Sequence, residues 1–289
     1  MYVIKIAFIA FAITPKAHAI DHIKMHSPTV GEDKRTMHKN EVLIRALEIS
    51  KQIYGSYTID FLNVKLSTAR ALRVIKKGEM INVFIAAAND HWDKFATPIK
   101  IPIRFGQLSY RLLLVNKSNL DAFKAIESLS DLKQLTAGLQ RGWALNDIFN
   151  EVNIEVLTSS DFEGLFQMLN SGRFDYFPRA VYEAYNELEN RSDVLNNIVV
   201  EPTLALYIPS KSYVYVSNNV PRIAQRLEYG LKIMKKNGEL KAIYNQYYKE
   251  DIIRANLSNR KIITIENPYF SNQKESIDVN ISSNLLLRP

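Results

Sequence analysis

The sequence predicts an α/β protein with two lobes, each a mostly parallel sheet flanked by helices, joined by two strands that cross between the lobes. Three observations support this prediction. Helix and strand patterns alternate along residues 40–87, they alternate again along residues 128–182, and a strand pattern near residues 204–216 returns the chain to the first unit. A lobe inserted into another lobe produces this order, with a cleft between the two.

The first unit alternates strands with helices. Asn40 is a suitable N-cap because its side chain can accept a free backbone N–H, and Gly55 can end the helix in a left-handed turn. Apolar residues between these two recur with helical spacing. The predicted elements are a helix over residues 41–54, a strand over 57–64, a helix over 68–77 and a strand over 81–87.

The second unit begins after a strand at residues 110–115. Ser128 precedes an Asp-Leu-Lys helix, and Ser160 with Glu163 matches the spacing of a capping box. The predicted elements are helices over residues 131–133, 144–152 and 161–170, and strands over 135–139, 154–157 and 175–177. After the return strand, two more helices are predicted over residues 221–236 and 239–248.

The N-terminal residues 1–19 differ from the rest of the chain. Lys5 precedes an unbroken apolar run over 6–13, and Ala17-His18-Ala19 has the small-x-small pattern of a signal peptidase site. The apolar run is too short to span a bilayer. We therefore predict a cleaved signal peptide and a periplasmic mature chain, with an uncleaved anchor or a buried strand as the alternatives. The absence of cysteine excludes a lipid-anchored cysteine at the cleavage site.

The charge pattern and the spacing of histidines argue against nucleic-acid binding and against a metal site. The formal charge of +7 falls to +5 once Lys5 and Lys16 leave with the signal, and no basic stripe with stacking aromatics indicates nucleic-acid binding. His22 and His26 have a metal-ligand spacing only on a helix, and a strand is expected there, so no metal or cofactor is predicted.

Motifs of common enzymes are missing from the sequence. It has no Gly-x-Ser-x-Gly elbow, phosphate loop, dinucleotide glycine fingerprint, His-Glu-x-x-His helix or cysteine nucleophile. We therefore predict that the protein is not an enzyme. A glycosidase-type pair of carboxylates stays open as an alternative, because spacing along the chain does not give spatial separation.

Four segments in order carry a family resemblance. Residues 78–83 read Gly-Glu-Met-Ile-Asn-Val, 98–102 read Pro-Ile-Lys-Ile-Pro, 128–133 read Ser-Leu-Ser-Asp-Leu-Lys, and 169–175 contain Leu-x-x-Gly-Arg-x-Asp. Together they resemble the family 3 (amino-acid-type) periplasmic solute-binding proteins, which have the type II periplasmic binding fold, over roughly residues 20–250. The resemblance implies a ligand cleft between the lobes and an ABC transporter permease as the partner.

The predicted domain boundaries follow from the two units. Lobe 1 comprises residues 20–113 and 205–255, and lobe 2 comprises residues 114–204. Residues 256–289 form a C-terminal extension, in which we predict one strand packed on lobe 1 followed by a loose end.

The resemblance also implies the ligand-binding positions. Amino-acid-binding members grip the ligand carboxylate with an arginine and its ammonium with an aspartate, whereas this chain has Asn89 and Trp92 near the first place and Arg179 at the second. An arginine there favours an anionic or neutral polar ligand. For the tryptophans the alternative is packing in a core or between lobes, and for Arg179 it is a salt bridge. The predicted ligand-binding residues are Ser27, Asn89, Trp92, Arg141, Gly142, Trp143 and Arg179.

These features together predict a monomeric extracytoplasmic solute-binding protein that closes on a small polar, anionic ligand for ABC-type uptake. Two alternatives stay open. One is a periplasmic sensor that docks a membrane signalling receptor, and the other is an orphan enzyme or structural protein on this fold.

Overall fold

The computed structural model describes residues 20–26, 34–64 and 66–270. The strands are β1 (Asp21–His26), β2 (Tyr57–Leu62), β3 (Val83–Ala87), β4 (Ala96–Ile99), β5 (Tyr110–Asn116), β6 (Ala137–Gln140), β7 (Val156–Ser159), β8 (Tyr176–Ala180), β9 (Ile198–Val200), β10 (Leu204–Tyr207), β11 (Ser212–Ser217) and β12 (Lys261–Thr264). The helices are α1 (Lys34–Tyr54), α2 (Thr68–Lys77), α3 (Asp90–Phe95), α4 (Leu120–Lys124), α5 (Leu129–Leu132), α6 (Ala144–Glu151), α7 (Phe162–Asn170), α8 (Val181–Glu189), α9 (Pro221–Lys236) and α10 (Glu239–Ala255).

Two sheets organise the chain. The first has the order β2-β1-β3-β11-β4, and the second has the order β12-β10-β5-β8-β6-β7 with β9 paired to β5. In each sheet one described strand runs against the others, namely β11 in the first and β5 in the second. The predicted α/β fold with two mostly parallel sheets is therefore confirmed.

Helices cover the two sheets in separate cores. The first lobe is the first sheet with α1, α2, α3 and α9, whose apolar residues pack against its two faces. The second lobe is the second sheet with α4 to α8. The last long helix, α10, contributes Leu240 and Ile243 to the core of the first lobe and Tyr244 and Tyr248 to the core of the second.

The chain passes between the lobes at three places. Residues 100–109 lead from β4 to β5, residues 208–211 lead from β10 to β11, and α10 makes the third passage. The first two run side by side, because the Ser109 hydroxyl donates to the Ser210 carbonyl at 2.8 Å and the Ile208 N–H donates to the Ser109 carbonyl at 2.8 Å. The predicted crossing strands, residues 109–116 and 204–216, meet at this point, but the connecting segments make the crossing, because β5 and β10 both lie in the second sheet and β11 lies in the first.

The C-terminal extension differs from the prediction. It contains the expected strand, β12, but that strand pairs in parallel with β10 in the second sheet, with Leu204 opposite Lys261. The predicted packing on lobe 1 is therefore wrong for this strand. Pairing with β10 extends an apolar sheet, and Ile263 and Ile265 enter the core of the second lobe. The remaining residues of the extension, 271–289, lie outside the described part of the chain.

The first helix is longer than predicted. It includes residues from Lys34 onward, so Asn40 lies within α1 and does not cap it. The weak helix propensity of a single asparagine costs a few tenths of a kcal/mol, about 0.5. Packing outweighs that cost, because the added turn carries Thr36 and His38 into buried positions.

Close approach of α1 and α9 depends on Gly230. A Cβ atom at this position would lie 2.1 Å from the Ala46 carbonyl oxygen, a backbone atom that cannot move by itself. We expect Gly230→Ala to lower the free energy of unfolding by about 1 to 3 kcal/mol, because the helices must separate. Urea denaturation of the native protein and of Gly230→Ala measures this difference in the free energy of unfolding.

Gly164 in α7 provides the matched control for Gly230. There the nearest atoms to an added Cβ belong to the Asp161 side chain, which caps α7 by accepting the Glu163 N–H at 3.1 Å. Gly164→Ala should change stability by less than about 1 kcal/mol, because the helix propensity that alanine adds offsets a weakened cap. Equal effects of the two substitutions would contradict the packing argument.

Candidate functional site

A large cleft lies between the two lobes. Its volume is about 1310 Å³, and both lobes and the C-terminal extension line it. The first lobe contributes side chains from α1, α2 and the turn into α3, and the second contributes the start of β5, the turn into α6 and the end of β8. Small-ligand sites occupy such concave junctions between domains.

Asn89 and Trp92 form part of the first-lobe wall. The Asn89 side chain accepts a hydrogen bond from the Trp92 N–H at 3.0 Å and caps α3, so Trp92 lies on a short helix and not in the predicted loop. The indole is only 2% exposed, stacks on Phe84 with ring centroids 5.5 Å apart, and contacts Tyr215. Trp92 therefore belongs to a core and reaches the cleft with one edge.

The turn before α6 forms the facing wall in the second lobe. Gly142 has φ of 81°, a left-handed conformation that favours glycine, and it places Trp143 at the cleft. Trp143 stacks on Phe177 at 6.0 Å with an interplanar angle of 14°. Arg141 is exposed and is not part of the lining.

Arg179 sits in a cage of rings and carboxylates. Its guanidinium carbon lies 4.8 Å from the ring centre of Trp143, 5.3 Å from that of Phe162 and 4.9 Å from that of Phe177. Its Nε and Nη2 atoms donate to the two oxygens of Glu187 at 2.6 and 2.5 Å. Burial lowers the pKa of this guanidinium, but Glu183 and Glu187 more than offset it, so the pKa is raised.

Glu183 connects Arg179 to the first lobe. One of its oxygens accepts the Ala180 N–H at 3.0 Å and lies 3.0 Å from Nη2 of Arg179, and the other accepts Nη1 of Arg35 at 2.9 Å. Arg35 is on α1, so this ion pair joins the lobes at the inner end of the cleft. Burial raises the pKa of Glu183, but Arg179, Arg35 and Arg111 lower it more strongly, to about 2.

Arg111 is a cleft residue that sequence reasoning missed. It is the second residue of β5, where it lies between Ala180 on β8 and Leu206 on β10 and lines the cleft. A signal was present in the sequence, since Arg111 begins the apolar run Leu-Leu-Leu-Val. A charged residue within a buried strand is rare unless it has a partner.

The C-terminal extension also reaches the cleft. Asn267 and Tyr269 line it, the Asn267 amide donates to the Pro209 carbonyl at 2.7 Å, and the Tyr269 hydroxyl donates to Glu151 on α6 at 3.3 Å. No pattern in the sequence pointed to this contact. Ser27, the remaining predicted ligand residue, lies outside the described residues, as does the predicted signal peptide over 1–19.

The described residues contain neither a metal-binding cluster nor a membrane-spanning helix. Within residues 20–26, 34–64 and 66–270, no group of three or more His, Asp or Glu side chains is arranged to hold a metal ion. Over the same part of the chain, no helix combines the length and the apolar character that crossing a bilayer requires.

Comparisons with known proteins give a structural likeness only. No family model and no curated protein sequence matches the chain. An ancestral arginine-binding protein bound to arginine superposes with a TM-score of 0.57 at 17% identity, over 80% of this chain and 100% of that chain. A histidine kinase sensor domain with similarity to periplasmic binding proteins gives 0.56 at 15% identity, over 80% and 96%.

A third structure is the ancestral amino acid-binding protein AncCDT-1, a precursor of cyclohexadienyl dehydratase, with a TM-score of 0.53 at 16% identity, over 79% of this chain and 94% of that one. At these identities the likeness establishes the fold. The predicted resemblance to amino-acid-type solute-binding proteins is confirmed at that level.

Proposed function

We propose that this protein is a periplasmic solute-binding protein that captures a small polar, anionic ligand between its lobes and delivers it to an ABC transporter permease. The observation that carries the proposal is the cleft, which is lined by both lobes and holds aromatic and basic side chains. The likeness to proteins whose structures contain bound amino acids supports the binding role. The signal-like sequence of residues 1–19 supports export.

Ligand capture would proceed by closure about the two side-by-side crossing segments. A ligand that contacts both walls favours the closed state, because only that state forms both sets of contacts. A closed shape is what a permease could then recognise.

A sensor is the second candidate function. The likeness to a histidine kinase sensor domain favours it, and capture of ligand would use the same cleft. An enzyme is less well supported: the likeness to the precursor of a dehydratase is to an amino acid-binding protein. Measuring uptake of an identified ligand in cells without the gene separates transport from sensing, since only a transport component is required for uptake.

The two tryptophans provide the test of ligand binding. Trp92 and Trp143 are the two tryptophans of the chain, and they lie on opposite walls of the cleft. A bound ligand should change their emission and raise the melting temperature, with stabilisation of about 2.7 kcal/mol at 100 times the dissociation constant. A panel of amino acids, organic acids, phosphate and sugars should give one responding class, and no response to any member would contradict the proposal.

A further inference from the structure

Arg111 is a cation of the cleft lining that combines partial burial with the absence of an ion pair among the described residues. Its buried Nε atom has no hydrogen-bond acceptor among the residues that the structure describes. Glu183, the carboxylate whose charge acts on it, is already bound by Arg35 and Arg179. Burial lowers the pKa of the Arg111 guanidinium, and Glu183 only partly offsets this. The Nε atom has therefore lost water and gained no hydrogen bond in return.

The carboxylates that lie beside Arg179, those of Glu183 and Glu187, are occupied by donors from the protein. Both oxygens of Glu183 and both oxygens of Glu187 have donors from the protein, and Arg179 fills the ring cage of Trp143, Phe162 and Phe177. The other acidic side chains that line the cleft, Asp90 and Asp147, are at exposed positions. Around Arg111 the described residues thus offer Glu183 and Glu187, which are already bound, while the free carboxylates of the lining, Asp90 and Asp147, lie on α3 and α6.

We propose that the ligand is an organic acid without an ammonium group, and that Arg111 binds its carboxylate. This inference rests on the proposed function. A carboxylate can accept two parallel hydrogen bonds from a guanidinium, which repays the desolvation of both groups. An ammonium group next to Arg111 and Arg179 would be repelled and would lose water without finding an acceptor.

Matched ligand pairs test the ligand class. Each pair differs by the amino group: succinate and L-aspartate, 2-oxoglutarate and L-glutamate, phenylpyruvate and L-phenylalanine. Isothermal titration of the purified protein should show at least one acid binding roughly tenfold or more tightly than its amino partner. Equal or tighter binding of the amino partners would overturn the assignment of ligand class.

Substitutions at Arg111 test the residue. Arg111→Met should weaken binding of that acid roughly 10- to 100-fold, the usual effect of losing hydrogen bonds to a charged group. The affinity of Arg111→Lys for the acid should lie between those of the native protein and Arg111→Met, because lysine keeps the positive charge but cannot donate two parallel hydrogen bonds. Arg70→Met is the control, as Arg70 is exposed on α2 and is not part of the cleft lining. Unchanged affinity in Arg111→Met would overturn the role of Arg111 and leave the proposed function standing.

A quenching measurement decides the case in which no acid or amino acid binds. Absence of binding would contradict the proposed function. The role of Arg111 can then be tested through the fluorescence of the two cleft tryptophans. At constant ionic strength, iodide should quench their emission more in the native protein than in Arg111→Met, while neutral acrylamide quenches both alike. Equal iodide quenching would overturn Arg111 as the group that attracts anions to the cleft.

Discussion

Replacing Arg179 with alanine is expected to lower the free energy of unfolding by about 3 to 5 kcal/mol, the usual cost of removing one partner of a buried ion pair. The side chain of Arg179 is 4% exposed, and those of its partners Glu183 and Glu187 are 11% and 14% exposed, so solvent screens these charges little. The substitution leaves two buried carboxylates short of a cation. It also removes a guanidinium from contact with three aromatic rings.

Urea denaturation of four variants measures this effect. Arg179→Ala and Glu187→Ala should each lower stability, and the double variant should lose less than the sum of the two, because the buried charge of Glu187 is then removed together with its cation and only Glu183 is left short of one. Lys232→Ala removes a partner from the exposed pair with Glu228 and should change stability by less than about 1 kcal/mol. An equally small loss in Arg179→Ala would show that the cage does not stabilise the lobe.

The same substitution bears on ligand binding. Without Arg179 the cleft gains uncompensated negative charge from Glu183 and Glu187, so affinity for an anionic ligand should fall at least about tenfold. The sequence leads to the same expectation by another route, direct contact between Arg179 and the ligand. In the structure the guanidinium donates to protein carboxylates, so the expected loss of affinity is electrostatic.

Acidification is expected to destabilise the protein through His38. This residue is fully buried on α1, its ring lies 5.0 Å from that of Tyr248 and 5.6 Å from that of Tyr247, and neither ring nitrogen has a hydrogen-bond partner within the described ranges. Burial, together with the charges of Arg104 and Lys39, lowers its pKa from 6.5 to about 2. His38 is therefore neutral in the folded protein at any pH near neutrality.

The direction of the pH effect follows from proton binding. Between pH 6.5 and pH 2 the unfolded chain protonates this histidine and the folded protein does not, so stability is lost as the pH falls. From about pH 7 to about pH 4.5 the loss due to His38 should be roughly 2 to 3 kcal/mol.

The His38→Phe variant keeps a ring and removes the titration. Urea denaturation at both pH values should show a smaller loss of stability in this variant than in the native protein, by the same roughly 2 to 3 kcal/mol. His91→Gln, at an exposed histidine, is the matched control and should behave like the native protein. An identical pH response in His38→Phe and the native protein would contradict the buried-histidine explanation.

Local patterns in the sequence are sufficient for much of the fold. Ser128 caps the short helix that it precedes, and α2 and α7 form within a residue of their predicted bounds. The capping box predicted for Ser160 with Glu163 is wrong, because Asp161 caps α7 and accepts the Glu163 N–H. The order of these elements, read with the return of the chain near residue 204, predicts two lobes with a cleft, and the structure confirms two sheets of this kind. These signals act within one or two turns of chain, so they can be read without knowing what packs nearby.

The pairing of charges and the position of the tail depend on contacts between distant segments. Arg111 is unpaired and Arg179 is saturated only because β5, β8 and α8 bring four charged groups together with Arg35 from the other lobe. Likewise β12 joins the second sheet because β10 offers it an edge. The sequence contains each of these residues, but whether a buried charge is neutralised is a property of three-dimensional neighbours, which spacing along a chain does not encode.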